Sequence, residues 1–539
     1  MTPLDDLKVA VRDAAGELRN GAAAGDRLSL ERPRKAGFGD YSTNAAMLLA
    51  PTLGMAPREV AERLGAALQE RLGAQVEKVE VAGPGFLNLF LADAWYLAAI
   101  GDVLAAGEGF GAGAQDERIQ IEFVSANPTG PLTAASGRHA AFGDALARIL
   151  VLAGNTIERE YYFNDGGGQV LRLGQSIQAR ARGEEPSEDG YQGDYVAELA
   201  ARIPDAAARA PEELAAAGVA LVMAEIRATL ERFRVQFDRW FSEATLYEGE
   251  PSAWERARAQ LAAEGRSYRS EDALWLRTTA LGDDKDRVLE RSTGEPTYLA
   301  SDVAYSRDKL ERGYDRLINV LGADHHGYVA RLKATVAAVG ADPARLEIPL
   351  LQFVHVVEGG ARASMSKRRG DFVTLEELIG EIGVDATRWF MLSRSADSTV
   401  DLDLTLAREQ SAENPVYYVQ YAHARITSVL TKAGEPRVAA ALVERHAGLT
   451  LEPAERELVK KLLAFPAEVA EAADRRAPHR IAVYALETAQ AFTAFYRDCH
   501  IVGAEPAALE SFRLSLSVAT RRVIARALGL LGVTAPERM

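Results

Sequence analysis

The chain has 539 residues, 48% of them hydrophobic and 26% charged, with a net charge of −15 and a single cysteine, Cys499. That length exceeds one hydrophobic core and predicts about three or four domains, while one cysteine excludes an intrachain disulfide and fits a reducing, cytoplasmic compartment. No uncharged apolar run approaches 18 residues, so neither a signal peptide nor a membrane span is expected.

In chain order, the first stretch reads as an α+β unit. Helical periodicity covers Leu4 to Leu18 and Pro57 to Leu72, with the loop GFGDYSTNAAMLLA between them, and VEKVEVAGPGFLNLFL alternates as a strand pair. Asn44 and Tyr41 in that loop read as turn residues. The glycine- and alanine-rich run from Gly107 to Gln115 is the expected linker.

From Glu117 to Leu406 strand and helix alternate, with a largely helical insertion from about Gly174 to Leu274. The run EFVSANPTGPLTAASGRH, from Glu122 to His139, begins with the apolar Ile121, Phe123 and Val124, passes a Pro/Gly-broken loop, and becomes helical from Ser136 to Leu150. Strand, tight loop and helix N-terminus together make an anion site, because unpaired N–H groups and the helix dipole point at it. YYFNDGGGQVLRLG follows at Tyr161 to Gly174. Tyr298 and Asp302, four residues apart, share one helical face. RLINVLG and LLQFVHVV read as fully buried parallel strands, with GADHHGYVAR, Gly322 to Arg331, after the first. SMSKRRG, Ser364 to Gly370, is a small basic loop whose Lys367 can meet charge on a leaving group. Alone, such a loop reads as a solvated turn. The pattern predicts a doubly wound α/β domain whose sheet draws the two loops together.

After ENPVYYVQYAHAR, Glu413 to Arg425, the pattern is all helical to Met539, with a stripe at Val459, Leu462, Leu463, Pro466 and Val469. Cys499 reads as a small buried residue of this region. From Tyr417 onward there are 16 Lys and Arg against 13 Asp and Glu, a balance of +3 that leaves −18 for the rest. The whole chain repels polyanions at long range, while this segment can hold phosphates locally. A specific, salt-sensitive contact fits better than general coating of nucleic acid.

The runs at Glu122–His139, Tyr161–Gly174, Gly322–Arg331, Ser364–Gly370 and Glu413–Arg425, in this order and over this length, resemble the signatures of a class I aminoacyl-tRNA synthetase, and within that class of arginyl-tRNA synthetase; the likeness covers essentially the whole chain. The resemblance implies an N-terminal tRNA-contacting α+β domain over 1–108, a Rossmann-like catalytic domain over 116–406 and an all-helical anticodon-binding domain over 411–539. The implied reaction activates L-arginine with ATP and transfers it to the 3′ end of tRNA(Arg). For arginine the resemblance points to Glu122, Ser125, Asn127, Tyr298, Asp302 and His325. For ATP it points to Pro128, Thr133, Ser136, Gly322, Asp324, Met365, Ser366 and Lys367, with Lys367, Thr133 and Ser136 the catalytic group. A guanidinium is a planar fork best held by carboxylates, the role implied for Asp302. His326 is expected as a core or capping histidine. Mg²⁺ accompanies ATP, no structural metal is expected, and the implied state is a monomer without membrane contact.

One departure stands in the first motif. Relatives carry His-x-Gly-His where this chain has Thr133-Ala134-Ala135-Ser136. Hydroxyls donate hydrogen bonds but carry no positive charge, and loss of a transition-state donor typically costs about 2.7–4 kcal/mol. Arg138, His139, Lys367 and Arg368 are the candidates to compensate; Ser364 replaces a basic residue in the second motif. The alternative reading is a catalytically attenuated paralogue that binds tRNA or arginine. Retention of Tyr298, Asp302, Asn127 and Lys367 favours the enzyme.

Overall fold

A computed structural model describes residues 3–19, 28–33, 37–362 and 373–539. In the N-terminal part, Pro57 opens the Pro57–Leu72 helix, where a missing N–H costs nothing. Its Val60, Ala61, Leu64 and Leu68 form a buried stripe that packs on an antiparallel sheet ordered Leu30–Glu31, Tyr41–Thr43, Phe86–Leu91, Val76–Ala82. Val79 pairs with Leu89 and Val81 with Leu87, so the alternation read from the sequence sets the register. The first helix is Pro3–Leu18.

The central part is built on five parallel strands, ordered Leu346–Glu347, Arg316–Asn319, Arg118–Glu122, Thr156–Phe163 and Arg239–Ser242. Chain order runs outward in both directions from Arg118–Glu122. Ligand crevices open at the carboxyl ends of strands where the winding reverses, and here that point lies between Glu122 and Asn319, which are register partners. The chain leaves the first strand abruptly. Val124 has φ 66° and Ser125 φ 41°, left-handed values that are unusual for non-glycine residues and for valine above all. Phe123 and Val124 therefore lie beyond the strand in which the sequence placed them. The Ala134–Leu152 helix then crosses so closely that a Cβ on Gly143 would stand 2.2 Å from Phe123 Cγ.

Three expectations are corrected. LLQFVHVV is not one buried strand: Leu350–Leu351 pairs with Leu321–Gly322, Phe353 is exposed, and Val354–Glu358 pairs with Val400–Asp403 in a separate sheet. Likewise RLINVLG is divided between Arg316–Asn319 and Leu321–Gly322. Within the stretch 174–274 expected as a helical insertion, helices Asp194–Arg202 and Pro211–Arg232 are followed by Arg239–Ser242, the outer strand of the main sheet. Four residues are too short a run to stand out against flanking helices, and their sheet membership comes from pairing with Glu160 to Phe163.

The C-terminal part consists of helices Pro415–Ala433, Glu435–Val443, Pro453–Leu463, Phe465–Asp474, His479–Asp498 and Ala507–Leu530. Val459, Leu462, Leu463 and Val469 are buried, whereas Pro466 is half-buried in the first turn of a new helix. Cys499 is buried one residue past the end of its helix.

Candidate functional site

At the carboxyl ends of the strands, Tyr161 Oη donates to Ala126 O at 2.9 Å, Tyr162 N–H to Ser125 Oγ at 3.1 Å and Tyr195 Oη to Thr129 O at 2.7 Å. These three bonds fix the loop after the first strand. Pro128 is buried beneath it, while Asn127 is exposed and donates to Gln169 Oε1 at 2.8 Å. A cavity of about 580 Å³ opens beside this loop. Ser125, Asn127, Tyr298, Asp302 and His325, five of the residues expected to bind arginine, line it. The sixth, Glu122, lines an adjoining pocket of about 180 Å³ that shares Tyr162, Asp302, His325 and Tyr328 with the first.

Two carboxylates, Glu243 and Asp302, and two guanidinium groups, Arg287 and Arg331, line the cavity, and Arg287 is already paired with Asp283 and Asp284. Buried Lys309 pairs with Glu122 and donates to Asn319 Oδ1 at 3.0 Å, so Glu122 is already answered by a cation. Glu243, at the end of the outer strand, accepts from Ser301 Oγ at 2.9 Å and from Tyr162 Oη. Asp302 accepts from Tyr328 Oη. Neither Glu243 nor Asp302 has an ion-pair partner among the described residues, although Arg331 stands close enough to favour the ionised form of Asp302. Burial, together with Glu243 and Glu122, pushes the Asp302 carboxyl up to about 7 despite the hydrogen bond from Tyr328. Glu243, Tyr162 and Tyr328 were not singled out from the sequence; their only signal is a place in or beside a motif-bearing run, and Glu243 had none.

The sign of that shift gives a prediction. Because the folded value lies above the ordinary 3.8, the contribution of this group to stability is fully present below that value and is lost as pH rises through about 7. A cation bound against Asp302 favours the ionised form and must displace its proton below that pH. Binding of a guanidinium ligand here is therefore expected to release a proton near neutrality and to weaken by up to about tenfold per pH unit below 7. Calorimetry in two buffers of different ionisation enthalpy measures this; identical heats between pH 6 and 7.5 would contradict it.

The side of the site beyond the loop is organised by the Ala134–Leu152 helix. Thr133 is its N-cap, accepting from Ser136 N–H at 3.3 Å, with the Ser136 hydroxyl also 3.3 Å away. Ala134 N–H donates to Val373 O at 2.9 Å and Leu375 N–H to Leu132 O at 2.8 Å, stitching the first motif to the chain just after the second. The expected row of unpaired N–H groups is thus mostly spent within the fold, leaving Ala135 N–H without a partner among the described residues. Ser364, Met365, Ser366, Lys367 and Arg368 lie outside the described residues.

Of the four candidates to compensate for the altered tetrapeptide, Arg138 and His139 lie among the described residues, and Arg138 is committed elsewhere. It is buried and donates to the carbonyls of Gln352, Phe353, Ser395 and Ser398, bracing the break between the two strand segments. His139, the next residue along the helix, faces the other way, its Cε1 3.8 Å from a Cβ built on Gly322. Burial, reinforced by Arg138, pulls its imidazole down to about 4, so it is neutral at physiological pH. Asp324 and His325 are exposed on the adjoining turn, with 3.6 Å between His325 Nε2 and Asp324 Oδ2. His326 is exposed rather than in the core, because this turn projects from the strand ends.

A second cleft, of about 570 Å³, lies in the C-terminal bundle and is lined by Tyr421, Arg425, Lys432, Tyr496 and Arg538 among others. The Arg425 guanidinium lies 4.6 Å from the Tyr421 ring centroid and 5.1 Å from that of Tyr496, and Tyr417 stacks on Tyr421 at 6.0 Å. Aromatic faces interleaved with cations suit single-stranded bases and their phosphates.

Comparison with known proteins matches these parts one by one. Residues 5–91 match the arginyl tRNA synthetase N-terminal domain and residues 419–539 the DALR anticodon binding domain. An arginine–tRNA ligase of Frankia alni is 47% identical over 100% of both chains, and one of Shouchella clausii is 43% identical over 99% of each. In fold, the chain superposes on Thermus thermophilus arginyl-tRNA synthetase with a TM-score of 0.76 at 24% identity, covering 99% of this chain and 100% of that one. A cavity with two carboxylates free of ion pairs among the described residues, an N-terminal α+β unit and a helical bundle with a basic balance thus occur together in a chain that belongs to the arginyl-tRNA synthetase family.

Proposed function

We infer that this protein is an ATP-dependent arginine–tRNA ligase, and the observation that carries the reading is the cavity in which Asp302 and Glu243 lack ion-pair partners among the described residues while Tyr298 stands at the mouth. The arginine side chain enters with its guanidinium against Asp302 and Glu243, where two carboxylates match a planar fork. Asn127 and Ser125 hold the α-amino and carboxylate end near the strained turn. The carboxylate attacks the α-phosphorus of ATP, pyrophosphate leaves, and arginine then passes from the adenylate to a ribose hydroxyl of the terminal adenosine of tRNA. No covalent enzyme intermediate is needed; positioning and charge stabilisation suffice. Mg²⁺ enters with ATP as part of the substrate. A cytoplasmic monomer is the working state.

For the phosphates the reading assigns Thr133, Ser136 and Ala135 N–H at the helix start, with Lys367 as the positive charge and Gly322 and Asp324 at the adenosine end. Thr133→Ala/Ser136→Ala is expected to slow single-turnover arginine transfer about a hundredfold, the scale of one lost transition-state donor. Thr133→Ser keeps the helix cap and is the control for folding. If the double variant matches the parent while Lys367→Ala is inactive, the tetrapeptide does not touch ATP and His139 is the next residue to test.

The anticodon arm of tRNA docks on the bundle through the Tyr421, Arg425 and Tyr496 cleft. Tyr421→Ala/Arg425→Ala is expected to weaken tRNA binding at least tenfold, since a stacked base is worth about 1–3 kcal/mol, and binding to the parent should weaken as salt rises. Filter binding at several salt concentrations checks both; salt-independent binding would contradict the docking.

The decisive experiment is aminoacylation by the purified protein with tRNA(Arg), ATP and radiolabelled arginine. Charged tRNA is the expected product. Arginine and tRNA binding without charging would establish the attenuated paralogue instead.

A further inference from the structure

A cavity of about 740 Å³ lies where three parts of the chain meet, away from the arginine site. The Asp93–Ala106 helix and the turn after it contribute Val103 and Phe110, the far end of the Ala134–Leu152 helix contributes Arg148 and Val151, and the last helix contributes Val523 and Leu530. Arg148 lies about 20 Å along its helix from Ser136, at 1.5 Å per residue. The cavity therefore touches the same rigid element that carries the first motif at its other end.

Its charge is distinctive in a chain of net −15. Arg148, Arg159, Arg522 and Arg526 line it against one acid, Glu108. Asp144 answers Arg148 at 2.8 Å and Asp238 answers Arg159 at 3.5 Å. Arg522 and Arg526, one turn apart on the last helix, have no carboxylate in ion-pair range among the described residues. Each gives one nitrogen to a backbone carbonyl, Arg522 to Leu104 O at 3.4 Å and Arg526 to Phe110 O at 3.0 Å. Latching the last helix to the Asp93–Ala106 helix and to the linker after it accounts for those two nitrogens. It does not account for the remaining donors or for a volume typical of sites for drug-sized ligands.

We propose that this cavity binds a small organic anion, its carboxylate, sulfonate or phosphate head between Arg522 and Arg526 and its apolar body against Val103, Val151 and Val523. Planar guanidinium forks hold such heads bidentately, and the apolar walls exclude a bare inorganic ion as the best occupant. The proposal is independent of the reaction assigned above.

The probe is 8-anilinonaphthalene-1-sulfonate, titrated by fluorescence into the full-length protein, with the neutral N-phenyl-1-naphthylamine as its sulfonate-free counterpart. One saturable site is expected, at least tenfold weaker for the neutral compound. Arg522→Ser/Arg526→Ser removes the charge and keeps the volume; it should weaken the sulfonate at least tenfold. Gly529→Trp does the converse, because Gly529 lines the cavity and a Cβ there meets no atom within 4 Å; it should abolish binding with all four arginines in place. Unchanged arginine affinity shows that each variant is folded. Binding weakened less than tenfold by Arg522→Ser/Arg526→Ser, binding that survives Gly529→Trp, or equal affinity for the neutral compound overturns the proposal.

Discussion

Replacing Asp302 by asparagine is expected to raise the dissociation constant for arginine about a hundredfold or more, with ATP affinity nearly unchanged. The two side chains have the same shape, so the substitution removes charge and leaves the cavity intact. Truncating one partner of a buried, hydrogen-bonded charge pair costs about 2–5 kcal/mol, and 1.4 kcal/mol is a factor of ten. Glu243 remains, held by Tyr162 and Ser301, but one carboxylate cannot satisfy both edges of a guanidinium. The same variant should lose the proton release near neutrality, because Asp302 is the group raised to about 7. Calorimetry with arginine and with ATP reads both effects, and unchanged arginine affinity would remove Asp302 from the site.

Arg388→Ala should be the most destabilising single change in the seam between the catalytic part and the bundle. Arg388 is fully buried; its Nε donates to Leu531 O at 2.8 Å, one terminal nitrogen donates to Phe233 O at 2.9 Å, and the other pairs with Asp144. The chain makes room for it at Gly532, where a Cβ would stand 2.3 Å from the guanidinium carbon. Without it two carbonyls lose their donor and buried Asp144 keeps only Arg148, which is partly exposed. Breaking a buried pair this way costs about 3–5 kcal/mol, so the first cooperative thermal transition should fall by about 10 °C. Arg388→Lys should recover little, because an ammonium cannot reproduce three donors in a planar fork. A shift below about 2 °C for Arg388→Ala would show that the seam does not depend on this residue.

The same seam explains why point variants test tRNA docking better than removal of the bundle. Asp385 pairs with Arg234 and accepts from Thr534 N–H at 3.1 Å, and Gln420 reaches Asp385 Oδ2 at 2.8 Å. Cutting the chain before the bundle would expose the surface these bonds close.

Much of this protein was written locally. Helical periodicity places Pro3–Leu18, Pro57–Leu72 and the bundle, and period-two alternation places Val76–Ala82 against Phe86–Leu91, because burial of one face repeats within a window shorter than the element itself. The motif runs likewise brought Ser125, Asn127, Tyr298, Asp302 and His325 to one cavity. What adjacent residues do was decided only in three dimensions. Arg138 and His139 are neighbours in sequence, yet one donates to two carbonyls at the strand break and to two more at Ser395 and Ser398, and the other faces Gly322, since successive residues on a helix point about 100° apart and their partners come from chain more than 180 residues away. Glu243 carries no motif; it joins Asp302 in the cavity because Arg239–Ser242 pairs beside Thr156–Phe163. The break in LLQFVHVV has the same origin: a run of apolar residues specifies burial, but which sheet each half joins depends on where Arg138 and the Val400–Asp403 strand present their partners.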